Sequence, residues 1–294
     1  MISSYLSTYR QAIRYLVLIV TLGALLQVAG CEQSSQETTE TNGTDIVIFI
    51  DFSQSIAGGS KALFERDFTN RIIPSLVAGD RILIAPINDK TLTQFHPLLD
   101  ETLPPKPEFD GWFDNSIKFD RAVKQNDAEV VETKERIEKQ VADIFAVPHA
   151  SQQTDILSSL LVAQKLFHNQ ERHKVLILMS DMIVDYPPYR FDRISWSPST
   201  NEKMLSELND NGLIPDLSGV CVYVSGVSAR SAQLAAHIDR FWQEYFRRTK
   251  ADMDPSRYAH VLLHWPPSKA CALDNGPRTV DASRKKETPA SHPG

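Results

Sequence analysis

The sequence is poor in cysteine and lacks the short motifs of common hydrolases and zinc enzymes. It has 3 cysteines in 294 residues and no paired Cys/His cluster of the kind that binds zinc. Neither G-x-S-x-G nor H-E-x-x-H occurs. An internal repeat and a linker to a second folded domain are also absent from the sequence. We therefore expect one folded domain that is not an enzyme.

An excess of basic residues is missing as well. The chain has 31 Lys and Arg against 37 Asp and Glu, which gives a formal net charge of −6. This balance disfavours a surface for nucleic acid or anionic lipid. The chain is 42% hydrophobic and 23% charged, an ordinary globular composition that supplies enough apolar residues for a core.

The first thirty residues differ from the rest and read as an export signal. Arg10 and Arg14 precede "YLVLIVTLGALLQVAG", an uncharged apolar run over residues 15–30. The run is near the lower length limit for a membrane span, so a permanent N-terminal anchor is the alternative. "VAGC", residues 28–31, resembles the lipobox of bacterial lipoproteins. That resemblance implies cleavage before Cys31 and attachment of acyl chains to it, which would hold the protein on a membrane.

Either alternative predicts that the rest of the chain faces away from the cytoplasm, and the lipobox resemblance implies a bacterial cell envelope as its location. The second residue after cleavage would be Glu32, whereas lipoproteins retained in the inner membrane typically have aspartate there. In a cell with two membranes, this favours the outer membrane over the inner one. Cleavage would remove two basic residues and no acidic one, and would change the net charge from −6 to −8.

Composition also divides the chain. Residues 1–30 are the predicted signal peptide, and residues 31–43, which include "EQSSQETTETNG", are a polar tether. We place the folded domain at residues 44–265 and a disordered tail, rich in Pro, Ser and charge, at residues 266–294. Cys221 lies in an apolar segment and Cys271 in this tail; a disulfide between them is open, and two separate thiols are the simpler expectation.

Apolar strands alternate with amphipathic helices along this domain. The expected strands cover residues 45–51, 81–87, 174–181, 219–227 and 258–265, and the expected helices cover residues 61–76, 119–146, 154–168, 200–210 and 229–248. Residues 91–99 contain Pro97 and read as an edge strand that turns back on its predecessor. The pattern predicts an α/β fold with a doubly wound, mostly parallel sheet and one antiparallel edge strand.

Side chains that carry oxygen follow two of these strands. Asp51, Ser53 and Ser55 come at the end of the first strand, Thr154 opens a helix, and Asp181 ends the strand "KVLILMSD". Ligands of open α/β sheets bind outside the carboxyl ends of the strands, so these groups are expected to converge. Oxygen ligands suit Mg²⁺, Mn²⁺ or Ca²⁺.

The three segments together resemble the von Willebrand factor type A domain. "DFSQS" (51–55), "QQTDI" (152–156) and "LMSDM" (178–182) match the D-x-S-x-S, T and D segments of its metal-ion-dependent adhesion site. The resemblance implies that fold, with Asp51, Ser53, Ser55, Thr154 and Asp181 holding Mg²⁺ or Mn²⁺ in preference to Ca²⁺. It also implies a protein partner that offers a carboxylate to the cation. Met182 departs from the family, which often has glycine after the last aspartate.

The loop after Asp181 is the candidate surface for that partner. It carries Tyr186, Tyr189, Arg190 and Trp196, residue types that are favoured at the centres of protein interfaces. A loop packed on itself is the alternative explanation of the same composition.

We therefore expect a membrane-anchored module that binds an acidic group of a protein partner through a divalent metal. Two alternatives remain open. One is a structural envelope lipoprotein whose site is vestigial. The other is a metal-dependent phosphohydrolase of the haloacid dehalogenase kind, although that pattern needs a second carboxylate where this chain has Ser53.

Overall fold

The computed structural model describes residues 43–53, 56, 58–109, 115–147, 151, 153–268 and 271. The predicted signal peptide, Cys31, nearly all of the tether, Ser55 and most of the predicted tail lie outside these residues. Within the described residues, no helix combines the length and the apolar character needed to cross a membrane.

The centre of the fold is a six-stranded sheet with the strand order β3-β2-β1-β4-β7-β8. Strands β2 and β3 pair antiparallel, and every other neighbouring pair in this sheet is parallel. Strands β5 and β6 form a separate two-stranded ribbon. The fold class expected from the sequence is confirmed. The strands are β1 Thr44–Asp51, β2 Arg81–Ile87, β3 Leu99–Thr102, β4 His173–Met179, β5 Asp185–Tyr186, β6 Tyr189–Arg190, β7 Val220–Ser225 and β8 Tyr258–Ala259.

Strand β1 lies inside the sheet and is buried from Asp45 to Asp51. Successive side chains of a strand point to opposite faces, so Val47 and Phe49 enter one hydrophobic core while Ile48 and Ile50 enter another. Helices α1 and α2 cover the second core, and α3, α4 and α5 cover the first. The helices are α1 Gly58–Asp67, α2 Ser116–Ala146, α3 Ile156–Phe167, α4 Pro198–Asp210 and α5 Ala232–Arg248.

Helix α1 continues into a π-helical turn, Phe68–Ile72, and a last α-helical turn, Ile73–Ser75. Its buried residues Phe64, Phe68 and Ile72 are spaced by four. In a regular α-helix, residues four apart drift around the axis by about 40° per step. The wider π turn, with its longer hydrogen-bonded ring, offsets this drift and keeps the three side chains on the sheet.

The edge strand lies further along the chain than the sequence predicted. Strand β3 begins at Leu99, after Pro97, and residues 91–97 are turns and irregular chain. Proline has no N–H to donate, so pairing with β2 starts only once Pro97 has been passed; the first bond runs from Leu98 N to Ile84 O at 2.7 Å.

The last strand is shorter than predicted, because the chain after Ala259 leaves the sheet to contact α1 and the segment that follows it. The backbone N–H of Leu262 donates to Asp67 Oδ2 (3.2 Å), and Trp265 Nε1 donates to Ser75 Oγ (2.9 Å). Arg71 also donates to the Leu262 carbonyl oxygen. The carbonyl oxygen of His260 still accepts from Gly226 N at 3.1 Å, and the bonds above replace the ladder that residues 261–265 would otherwise have formed.

A disulfide joins Cys221 in β7 to Cys271, where the sequence favoured two separate thiols. Arg257 Nη1 contacts both sulfur atoms, at 2.7 and 2.8 Å, and Nη2 of the same residue donates to Asp252 Oδ1 at 2.7 Å. His173 Nε2 lies 2.8 Å from the Cys271 carbonyl oxygen. The chain is therefore fastened to the sheet beyond residue 265, where we expected the tail to begin.

Replacing Cys271 with serine should lower the free energy of unfolding by about 2–4 kcal/mol, because the crosslink spans 50 residues and restricts the unfolded chain. Urea unfolding of both proteins measures the difference. A reductant should produce a similar loss in the unsubstituted protein and none in Cys271→Ser. Equal stability of all four samples would contradict the crosslink.

Candidate functional site

The order of the strands places a crevice between the carboxyl ends of β1 and β4. From β1 the chain proceeds to β2 and β3 on one side, whereas β4, β7 and β8 lie on the other. Ligands of doubly wound sheets bind at this reversal of strand order. Asp51 is the last residue of β1, and the pairing of Ile50 with Met179 brings it level with Ser180.

The Asp51 carboxylate lies at the centre of a hydrogen-bond network and is 1% exposed. Its Oδ1 accepts from the backbone N–H of Ser53 at 2.8 Å, and its Oδ2 accepts from Ser180 Oγ at 3.0 Å. The side chains of Ser53 and Thr154 also hydrogen-bond to it. Three distant segments of the sequence thus meet at one carboxyl group.

Burial raises the pKa of Asp51, and hydrogen bonds from Ser53, Ser180 and Thr154 oppose that rise. All of these donors are neutral. A buried carboxylate that is held only by neutral donors keeps a desolvation cost, which a cation at its oxygens would reduce.

Thr154 reaches Asp51 from an extended segment and not from a helix, which corrects the sequence prediction. Its backbone pairs with Asp185 in both directions, at 3.3 and 3.1 Å, and helix α3 begins two residues later at Ile156. Asp155 is the N-cap of α3, where its Oδ1 accepts from Ser158 N at 3.0 Å. Asp155 therefore stabilises the start of the helix as its cap.

Ser151 belongs to the same segment and forms a parallel bridge with Ser53. Its hydroxyl bonds to the carbonyl oxygen of Gln153 at 2.5 Å, which shapes the chain just before Thr154. The bridge aligns the segment around Thr154 with the chain that leaves β1.

Asp181 lies two residues beyond the end of β4, at the same edge of the sheet, and is 4% exposed. Its Oδ1 accepts from the backbone N–H of Ile183 at 2.9 Å. Burial raises the pKa of Tyr258 in β8, and the negative charges of Asp239 and Asp181 add to that rise. The Asp181 carboxylate is therefore near enough to Tyr258 for its charge to act on that hydroxyl group.

Met182 has a left-handed backbone, with φ of 65°. Glycine adopts this conformation without cost, whereas other residues pay about 1–2 kcal/mol. Burial of its side chain and one hydrogen bond hold Met182 in this conformation. The side chain is fully buried, and the carbonyl oxygen accepts from Trp242 Nε1 of helix α5 at 2.8 Å. The residue that departs from the family's glycine therefore keeps a glycine-like backbone.

Of the five residues predicted to bind the cation, three contact one another directly through Asp51: Asp51, Ser53 and Thr154. Asp181 is placed at the same edge by the strand register, and Ser55 lies outside the described residues. Among the residues that the structure describes, no group of three or more His, Cys, Asp or Glu is arranged to hold a metal. Any cation here would depend on hydroxyl oxygens.

Sequence reasoning missed Ser180 and Ser151. Ser180 is fully buried and donates to Asp51, and its hydroxyl accepts from Met182 N at 3.0 Å. The sequence shows only that Ser180 follows a buried strand, and the register of β4 with β1 is what brings it level with Asp51. No spacing rule identified Ser151.

The aromatic loop packs largely against the protein itself. Tyr189 is 8% exposed and accepts a bond from Asn211, and Trp196 donates to the Phe191 carbonyl oxygen and packs edge-on against the Phe191 ring. Tyr186 and Arg190 are partly exposed on the β5–β6 ribbon. Binding of a partner by Tyr186, Arg190 and Trp196 stays a prediction, whereas Tyr189 offers little surface.

Gly226, directly after β7, allows two parts of the site to approach closely. Its φ is +105°, and a Cβ there would lie 2.7 Å from ring carbons of Phe64 and 3.0 Å from the Ser180 carbonyl oxygen. A side chain at this position would therefore displace Phe64 or the segment that carries Ser180.

Comparisons with known proteins give no family for the chain. No family model matches it, and no curated protein matches it. Solved structures give slight likenesses. Proximal thread matrix protein 1 from the mussel byssus is 16% identical with a TM-score of 0.36, over 74% of this chain and 43% of that chain. An aerotolerance-related membrane protein from Bacteroides fragilis is 10% identical with a TM-score of 0.33, over 63% of this chain and 68% of that chain, and the pilus adhesin SpaC from Lactobacillus rhamnosus GG is 13% identical with a TM-score of 0.39, over 74% of this chain and 28% of that chain. The chain spans less than half of the mussel protein and of the adhesin, and likenesses this low identify neither family nor function.

Gly226→Ala should lower the free energy of unfolding by about 3 kcal/mol, because it adds a clash to the strain of a left-handed alanine. Gly212→Ala is the matched control. Gly212 has φ of +68° and open space around its missing Cβ, so only the strain of about 1 kcal/mol applies. Urea unfolding compares the two, and equal losses would contradict the close packing around Gly226.

Proposed function

We propose that the chain is a membrane-anchored binding module of the von Willebrand factor type A kind, which captures an acidic group of a protein partner through a divalent cation. The cation ligands are Asp51, Ser53, Ser55, Thr154 and Asp181. The observation that carries the proposal is the buried Asp51 carboxylate between the carboxyl ends of β1 and β4, where the strand order reverses. Hydroxyl groups from three chain segments converge on this carboxylate.

The chemistry of the donors supports a hard cation. All of the converging groups offer oxygen, which suits Mg²⁺ or Mn²⁺ and disfavours zinc. Hydroxyl ligands are neutral, so they compensate little of the cation's charge. A carboxylate from a partner would then complete both the coordination and the charge balance.

The anchoring part of the proposal comes from the sequence alone. The apolar run over residues 15–30 and "VAGC" at residues 28–31 match a lipoprotein signal. Lipidation at Cys31 would leave a short polar segment between the membrane and β1, which begins at Thr44. A tether of this kind presents the domain to partners beyond the membrane surface.

Asp51→Ala and Thr154→Ala should each weaken Mg²⁺ binding by at least about tenfold, because each removes a ligand or a group that orients one. Isothermal titration calorimetry of the full chain in detergent, with Mg²⁺, Mn²⁺ and Ca²⁺ in turn, measures the change. We expect one saturable site that prefers Mg²⁺ or Mn²⁺.

Asp210→Ala is the control for the loss of one negative charge, since Asp210 is exposed at the end of α4. It should bind the cation as the unsubstituted protein does. Unchanged affinity in Asp51→Ala would remove the proposed site, and an equal loss in Asp210→Ala would reduce it to general electrostatics.

Cys31→Ala should abolish incorporation of labelled palmitate when the chain is expressed in a bacterial host, since Cys31 is the proposed acylation site. Cys271→Ala is the matched control and should incorporate the label normally. Label that persists in Cys31→Ala would contradict the lipid anchor and leave the apolar run as a permanent one.

A further inference from the structure

A pocket of about 110 Å³ lies beside the candidate cation site and shares two of its residues. Asp51 and Ser53 form one side of the pocket. The side chains of Phe52, Ile56, Phe64 and Phe145 supply an apolar lining, and Lys61 of helix α1 supplies a positive charge. Oxygen ligands, an ammonium group and an apolar wall therefore border one small volume.

The apolar wall is held in place by packing. Phe64 and Phe145 are 1% and 4% exposed, and the Phe145 ring packs against Phe68 at 5.9 Å and against Phe52 at 6.1 Å between centroids. Gly226 lies against the Phe64 ring. Phe52 and Ile56 are only half-buried, so part of the apolar surface stays accessible.

Lys61 is half-buried, and within the described residues it makes neither an ion pair nor a hydrogen bond. A lysine in such a place lays its methylene groups on apolar surface and keeps its ammonium group available. The Asp51 carboxylate lines the same pocket, so the Lys61 charge is balanced until a cation binds at Asp51. With the proposed cation in place the pocket is net positive, and charge complementarity then calls for an anionic occupant.

We propose that this pocket binds the C-terminal residue of a partner chain, with its α-carboxylate shared between the cation and Lys61 and an aliphatic side chain against Phe52 and Phe145. This inference rests on the proposed function. A C-terminal valine, leucine or isoleucine carries its carboxylate and its apolar side chain on the same carbon atom. An internal aspartate or glutamate has only hydrogen and a short methylene link on the carbon next to its carboxylate, and no branched aliphatic group there.

The size of the pocket agrees with one aliphatic residue. An apolar cavity of about 150 Å³ holds benzene, so about 110 Å³ suits a side chain of the size of valine or leucine.

Four small probes test the inference on the full chain in detergent: N-acetyl-leucine, N-acetyl-alanine, N-acetyl-leucinamide and the α-amide of N-acetyl-aspartic acid. Saturation-transfer NMR with Mg²⁺ and with EDTA gives their relative affinities. We expect N-acetyl-leucine to bind only with Mg²⁺, about tenfold more tightly than N-acetyl-alanine because more apolar surface is buried. The leucinamide, which lacks the carboxylate, should not bind.

Lys61→Gln should weaken the binding of N-acetyl-leucine by about fivefold, since it removes one charged contact to the carboxylate, and should not weaken Mg²⁺ binding, since the ammonium group repels a cation. Lys124→Gln, at an exposed lysine of α2, is the matched control and should change neither. Equal or tighter binding of the aspartate probe, or no preference for leucine over alanine, would overturn the inference.

The titration of Mg²⁺ on the same sample separates the two proposals. Normal Mg²⁺ binding without a preference for N-acetyl-leucine overturns only the C-terminal pocket. Absence of Mg²⁺ binding overturns the proposed function and the pocket with it.

Discussion

The buried carboxylate of Asp51 is the constraint on which the rest of the site depends. Ionised carboxyl groups are costly inside a protein unless hydrogen bonds or charges compensate them. This chain brings the N–H of Ser53 and the hydroxyl groups of Ser53, Thr154 and Ser180 to the Asp51 carboxylate, at the place where the strand order of the sheet reverses. Neutral donors reduce the cost without cancelling it, and this remaining cost is the ground for the cation and the acidic partner that we propose.

The fold fixes these donors through elements that are far apart in sequence. Register between β1 and β4 sets Ser180 beside Asp51, the bridge between Ser53 and Ser151 aligns the segment of Thr154, and Trp242 of α5 holds the Met182 carbonyl oxygen. On the opposite face, Asp67 of α1 bonds both Ser225 of β7 and the chain at Leu262. The strand ends are thus tied together on both faces of the sheet.

The sequence predicted the parts that depend on local pattern. Continuous apolar runs located β1, β2, β4 and β7, and alternation with helices gave the sheet its class. It misplaced the edge strand at residues 91–99. Pro97 cannot donate a ladder hydrogen bond, but the sequence does not show that pairing with β2 begins only after this residue. It overextended β8, because Leu262 and Trp265 bond to Asp67 of α1 and to Ser75 after it. It also missed the pairing of Cys221 with Cys271, because only the path of the last segment brings the two sulfur atoms together. Ser180 escaped notice because its role depends on strand register, which local spacing does not encode.

A crystal of the protein soaked with Mn²⁺ tests the central claim most directly, through anomalous diffraction at the manganese absorption edge. The account predicts one peak in the crevice between the ends of β1 and β4, coordinated by oxygen atoms of Asp51, Ser53 and Thr154, directly or through water. Absence of a peak at saturating Mn²⁺, or a peak bound only by exposed carboxylates elsewhere, would contradict it.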